Sequence, residues 1–174
     1  GLILVSEVNG KRCAASSRRG RYKIEEQNGE KKIFEETYSG VSQPTVQGGL
    51  TEDEKNRPNG ILEALLREIR EESNLQSDLI LPRIKLVKIS RTPIRTSACF
   101  AAFAAEKEII RLRLEICKSV DLVFEEEVKN IRTDIRPTGF HRPGIGMFAD
   151  DKEALIETFA LFLELKALAE RSRQ

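Results

Sequence analysis

The chain has 174 residues, the size of one domain with a full hydrophobic core. Its 29 basic and 28 acidic residues leave a net charge of +1, which excludes the one-sign field of a nucleic-acid binder. No apolar run approaches the roughly 20 residues of a membrane span, and the start lacks a signal-peptide pattern.

Cys13, Cys99 and Cys117 are widely spaced without any CxxC and read as reduced thiols of a cytoplasmic protein, with no disulfide or zinc chemistry. Gly1 opens directly on an apolar segment, so the natural N-terminus is expected upstream. Leu2-Ile3-Leu4-Val5 has the pattern of a strand covered on both faces. Asn9-Gly10 signals a hairpin turn, with Arg12 to Ser17 as the return strand. Arg18, Arg19 and Arg21 form a basic cluster. Asn28-Gly29, between Tyr22-Lys23-Ile24 and Lys31-Lys32-Ile33-Phe34, predicts a second hairpin. That hairpin is so charged that it is expected to leave the main sheet as an interface or lid element. Gly48-Gly49 follows Pro44-Thr45-Val46-Gln47 and signals a sharp turn.

Asn59 to Leu75 reads NGILEALLREIREESNL. On a helix at about 100° per residue, Leu62, Leu65, Leu66 and Ile69 form one apolar stripe. Glu68, Glu71 and Glu72 cluster at i, i+3, i+4 on an adjoining face, where each close pair repels by roughly a few tenths of a kcal/mol. A hard divalent cation compensates, because Mg²⁺ prefers carboxylate oxygens and keeps water and phosphate as its other ligands. The alternative is a solvated acidic face partly neutralised by Arg67 and Arg70. Asn59 is placed to cap this helix and Gly60 to start it.

Ile84 to Ser90 and Ala98 to Ala105 read as strands. The turn between them carries Arg91, Pro93 and Arg95 and suits either a pyrophosphate or an ordinary surface loop. From Lys107 to Cys117, Ile110, Leu112, Leu114 and Ile116 alternate with charged residues and predict a half-exposed strand. Val120 to Val123 leads into Phe124-Glu125-Glu126-Glu127, a short helix start by its acidic first turn. Thr138 to Phe148 holds the only His and the only Met. There Phe140 or Phe148 is placed to stack a base, and His141 or Arg142 to meet phosphate. A lone His without a nucleophile or metal spacing reads as structural. A closing helix, about 151–171, has an apolar centre expected to pack on the sheet.

Arg67-Glu68-Ile69-Arg70-Glu71-Glu72-Ser73-Asn74-Leu75 resembles the C-terminal half of the Nudix box, Arg-Glu-U-x-Glu-Glu-x-Gly-U with U aliphatic, at six of its seven specified positions. Asn74 replaces a Gly where the family helix ends in a left-handed residue, and Asn is the next best tolerated there. The N-terminal half departs further. Asn59 stands where the family has Glu, and Gly48-Gly49 lies about four residues too far upstream, so the intervening stretch is a lengthened loop.

The resemblance implies an α/β fold, a Nudix-type α/β/α sandwich with a mixed central β-sheet. It would be a single domain over residues 1–174, with the box region at 48–75. It also implies a Mg²⁺-dependent pyrophosphohydrolase, with Mn²⁺ as a further metal, cleaving a nucleoside diphosphate linked to another moiety. Glu68, Glu71, Glu72 and the Gly48 carbonyl would hold the metal, and Arg67 would orient the carboxylates. The base would be Glu68 or a carboxylate after the later strands, with Glu125 favoured over Glu126 and Glu127. Arg18 or Arg19 would meet substrate phosphate, beside the loop candidates Arg95, Phe140 and Arg142. Many relatives are homodimers, so self-association through the charged hairpin is a further expectation. The departures at Asn59, Gly48-Gly49 and Asn74 motivate the second reading, a catalytically impaired nucleotide-binding sensor or interaction module. Ser42-Gln43-Pro44 lies upstream of the box, not downstream as in NADH-cleaving members, and so does not name the substrate.

Overall fold

The computed structural model describes residues 1–91, 93 and 96–172; Arg95 therefore lies outside the described residues. Strand β1 (Leu2–Val8) sets the layers. Leu2 and Leu4 enter one core, Ile3 and Val5 the other, and all four are at most 3% exposed. Side chains alternate across a strand, so a strand apolar at every position requires a layer on each face.

Asn9 and Gly10 take φ of 51° and 74°, the left-handed pair of a type I′ turn. The chain then returns as β2 (Lys11–Arg19), antiparallel to β1. Asn28 and Gly29 repeat that geometry between β3 (Tyr22–Gln27) and β4 (Glu30–Glu35), which form a separate two-stranded sheet. The main sheet adds β5 (Ser42–Pro44), β6 (Lys85–Arg91), β7 (Thr96–Phe103) and β8 (Lys118–Phe124). β2 pairs with β5 over Ser16–Arg18 and with β8 over Cys13–Arg19. β1 pairs with β7 in parallel while every other ladder is antiparallel, so the sheet is mixed.

Among the described residues, six α-helices complete the fold: α1 (Glu52–Lys55), α2 (Gly60–Glu72), α3 (Ser77–Ile80), α4 (Glu106–Ile110), α5 (Ala149–Ala160) and α6 (Phe162–Arg171). Leu65 and Ile69 of α2 close the core of Leu2, Leu4, Ala15 and Ala102 on one face. Leu155, Phe159, Phe162 and Leu165 of α5 and α6 close the core of Ile3, Val5, Ala14 and Ala101 on the other. No described helix is long and apolar enough to cross a membrane.

Four expectations need correction. Lys107 to Cys117 is not a strand: it opens as α4, and the buried residues are Ile109 and Leu112, at helical spacing, while Ile110 and Ile116 are exposed. Glu108 starts that helix by accepting from the Ala105 N–H at 2.7 Å, and the buried Arg83 guanidinium clamps it with two bonds of 3.1 Å. The closing helix is two helices, interrupted at Leu161 (φ −93°, ψ 6°). The Thr158 hydroxyl donates to the Ala154 carbonyl at 2.7 Å, a back-bond that bends helices, and the break lets Phe162 turn into the core.

Asn74 is not left-handed. Ser73 leaves α2 extended, and the Asn74 amide accepts from the Arg113 N–H at 2.8 Å and donates to the Arg111 carbonyl at 2.9 Å. Asn59 stands at the N-cap position of α2, but its side chain makes no capping bond among the described residues.

Ile69 is fully buried under the acidic face of α2. Ile69→Ala is expected to cost about 2–5 kcal/mol in urea unfolding, the range for a large-to-small change in a closed core.

Candidate functional site

The strand register decides which side chains meet α2. Ala15 lies in the α2-side core and Ala14 in the opposite one, so Ser17 and Arg19 share the α2 face. Arg19 is in register with Lys118 of β8. Arg18 points the other way and pairs with Asp121 at 2.6 Å, which removes it from the box. Arg19 donates to Gln43 Oε1 at 2.7 Å and pairs with Glu36 at 3.1 Å.

Helix α2 is delivered by α1. Thr51 and Glu54 form a capping box: the Thr51 hydroxyl accepts from the Glu54 N–H, and Glu54 Oε2 accepts from the Thr51 N–H at 2.7 Å. A Cβ on Gly60 would lie 1.6 Å from the Glu54 carbonyl, so only glycine lets α2 start this close to α1. Glu54 also takes Arg67 on both oxygens, Nε at 2.9 Å and Nη2 at 3.2 Å. Asn59 stands where the Nudix pattern has a Glu, and here Glu54 braces Arg67 instead. Sequence reading missed it, although Thr51-x-x-Glu54 is a legible capping signature.

Arg67 turns its remaining donors to the acidic face of α2. Nη1 reaches Glu68 at 2.6 Å and Glu71 at 3.1 Å, and Nη2 reaches the Gly49 carbonyl at 2.7 Å. The Arg67 hydrogen bond and the Thr51 N–H hold the Glu54 carboxyl down to about 2, and Glu54 in turn raises Arg67 further. The Glu68 carboxylate lies against Gly48, where an added Cβ would sit 1.8 Å from Cδ.

Glu72 is as enclosed as Glu68, their side chains 12% and 13% exposed against 59% for Glu71. The Gln47 N–H donates to Glu72 Oε2 at 3.0 Å and Lys118 Nζ to Oε1 at 2.5 Å. Burial raises its carboxyl, and Lys118 pulls it back. Burial also acts to lower Lys118, but Glu115, at 2.8 Å, and Glu72 outweigh it and keep the ammonium charged. Glu115 is fixed there by its N–H, which donates to the Glu72 carbonyl at 2.9 Å.

Other candidates lie apart from the box. Phe124, the residue before Glu125, is in register with Cys13, and Lys118 with Arg19. Six residues of strand therefore put Glu125 roughly 20 Å from Lys118, where it pairs with Arg12 at 3.5 Å. Glu125 therefore does not reach the box; Glu115 is the carboxylate outside the box that reaches its edge. Phe140 is 6% exposed and packs on Gly146, so it is not free to stack a base. Arg142 pairs with Asp134 at 2.8 Å, which Arg132 also holds. His141 Nε2 lies 3.2 Å from the Ser39 hydroxyl and 3.0 Å from the Thr138 carbonyl.

The oxygen donors of Glu68, Glu71 and Glu72 suit Mg²⁺ chemically, and Gln47 beside them keeps a buried amide oxygen with no hydrogen-bond partner among the described residues. Those carboxylates are engaged by Arg67 and Lys118, and no three metal-ligating side chains converge among the described residues. A small cleft of about 70 Å³ opens beside Lys118, walled by Arg19, Tyr22, Ile24, Glu115 and Ile116.

A depressed carboxyl stabilises the fold above its unfolded pKa, near 4.5, and loses that contribution as pH falls through about 2. In urea unfolding, the stability gap between wild type and Glu54→Gln is expected to be flat above about pH 5 and to close towards pH 2. Asn59→Glu is expected to leave divalent-metal affinity within about twofold, as for an ordinary surface change, because Arg67 is already braced.

No protein-family model matches the chain, and no curated protein does. Among solved structures, the fold is similar to the NUDIX domain of Shewanella oneidensis NrtR complexed with ADP-ribose, with a TM-score of 0.53 and 13% identity. The match covers 93% of this chain and 84% of that one. A mixed sheet, with the helix of the acidic motif on one face and the C-terminal helices on the other, gives this chain a Nudix fold.

Proposed function

We propose that this chain is a single cytoplasmic Nudix domain, a divalent-metal-dependent pyrophosphohydrolase cleaving a nucleoside diphosphate linked to another moiety. The observation that carries this reading is the Arg67 guanidinium, which is braced by Glu54 and tied to the Gly49 carbonyl while it aligns Glu68 and Glu71. Mg²⁺ or Mn²⁺ held by Glu68, Glu71, Glu72 and the Gly48 carbonyl would neutralise the diphosphate and acidify the attacking water.

The chain's own groups supply the rest. Glu68, pressed on Gly48, is the base within the box, with Glu115 as the alternative outside it. Lys118 and Arg19 face the cleft with positive charge for the diphosphate. Tyr22, Ile24 and Ile116 give the cleft an apolar side next to that charge. ADP-ribose, the ligand of the NrtR domain, is a member of this substrate class. Self-association through the β3–β4 hairpin, whose Ile24 and Ile33 are exposed, belongs to the same proposal.

The second reading, a nucleotide-binding sensor, is favoured by one observation: the Lys118 ammonium already sits on Glu72. A product-release assay over nucleoside diphosphate derivatives, ADP-ribose included, separates the two. With Mg²⁺ or Mn²⁺, cleavage is expected to fall on the order of 100-fold or more in Glu72→Gln and to vanish in EDTA. Turnover unchanged in both Glu71→Gln and Glu72→Gln would sink the site. Thermal stabilisation by ADP-ribose without turnover selects the sensor.

A further inference from the structure

Both oxygens of Glu72 are engaged. Oε2 accepts from the Gln47 N–H at 3.0 Å and Oε1 from Lys118 Nζ at 2.5 Å. A divalent cation at carboxylate-bonding distance from Oε1 would meet the ammonium almost in contact, and two such charges repel too strongly to share one oxygen. The ammonium is no wandering surface charge. Its side chain is 15% exposed, and Glu115 holds it from a second side at 2.8 Å.

The backbone fixes it too. Cys117 adopts φ 76° without being glycine, a strained conformation that persists only where surroundings enforce it. Gly20 enforces it: its N–H donates to the Cys117 carbonyl at 2.7 Å, and a Cβ there would lie 2.4 Å from that oxygen. In the other direction, Lys118 lines the open cleft with Arg19. Arg19 is committed to Gln43 and Glu36, whereas a four-carbon lysine stem swings readily.

We propose that Lys118 is a built-in counter-cation that occupies the metal position on Glu72 until a diphosphate in the cleft draws it away, so that metal and nucleotide load together. This rests on the pyrophosphohydrolase reading and adds an order of events to it. The coupling is reciprocal: a diphosphate that engages Lys118 frees Glu72 for metal, and metal on Glu72 frees Lys118 for the diphosphate.

The test is Mn²⁺ binding followed by electron paramagnetic resonance, with no turnover needed. Mn²⁺ alone is expected to bind Lys118→Met about tenfold or more tightly than wild type, and Lys118→Gln, which leaves Glu72 a neutral donor, in the same direction. Adding Glu72→Gln to Lys118→Met should remove the gain. A methylene-bridged ADP-ribose analogue should tighten Mn²⁺ binding in the wild type and much less in Lys118→Met. Equal Mn²⁺ affinity in wild type and both Lys118 variants overturns the counter-cation while leaving the metal site standing. Absence of Mn²⁺ binding in every variant, analogue present or not, overturns the metal reading and this inference with it.

Discussion

The geometry of the box depends on one planar cation. The Arg67 fork joins three pieces of chain that share no secondary structure: Glu54 on α1, the Gly49 carbonyl in the loop after β5, and Glu68 and Glu71 on α2. Its side chain is 29% exposed, so single pairs within the cluster contribute little to stability, roughly 0–1 kcal/mol each at the surface. What the cluster contributes is position. A guanidinium presents five donors in a fixed plane, and a lysine in its place reaches none of these partners bidentately. Two carboxylates of α2, Glu68 and Glu71, are held on one side of the helix, with Glu68 against a backbone that only Gly48 permits so close.

The balance of charge in that corner constrains what can bind. Glu54, Glu68, Glu71, Glu72 and Glu115 face Arg67 and Lys118, five carboxylates against two cations. A bare diphosphate approaching the box meets excess negative charge, and the low-dielectric surroundings of Glu72 magnify the repulsion. The arrangement therefore tolerates an anion only at its Lys118 and Arg19 edge, or with a compensating metal.

Much of the fold was legible because its signals are periodic and local. Four consecutive apolar residues in β1 required two layers, and two Asn-Gly pairs placed two hairpins. The box helix showed its apolar stripe and its acidic face in one reading. What failed depended on distance in space. Asn59 looked like a lost brace because motif spacing counts residues, but α1 folds Glu54 back onto Arg67. Arg18 and Arg19 are neighbours in sequence and opposites in space, and strand parity, unknown before the register, sends Arg18 to Asp121. Glu125 stood in an acidic run that explained itself as a helix start, while Glu115 was hidden in an alternation read as a strand, although only a short helix over Glu106–Ile110 and an irregular return through the Leu114–Ser73 bridge stand there. Phe140 illustrates a further limit: an aromatic in a glycine-rich loop reads as available, and only its packing on Gly146 shows that it is not.

The cleft and the counter-cation have a common origin in topology. At Arg19 and Lys118 the β2–β8 ladder ends, and the chain leaves the main sheet for β3 and β4. Gly20 has no Cβ because the returning turn at Cys117 presses its carbonyl into that space. The close approach forces Cys117 left-handed and aims the next residue, Lys118, under α2. Tyr22 and Ile116, on either side of that contact, line the cleft. A side chain at position 20 would push the turn outward, so it would widen the cleft and withdraw the ammonium from Glu72 in the same movement. The cleft and the Lys118–Glu72 pair thus adjoin one backbone contact, Gly20 on Cys117.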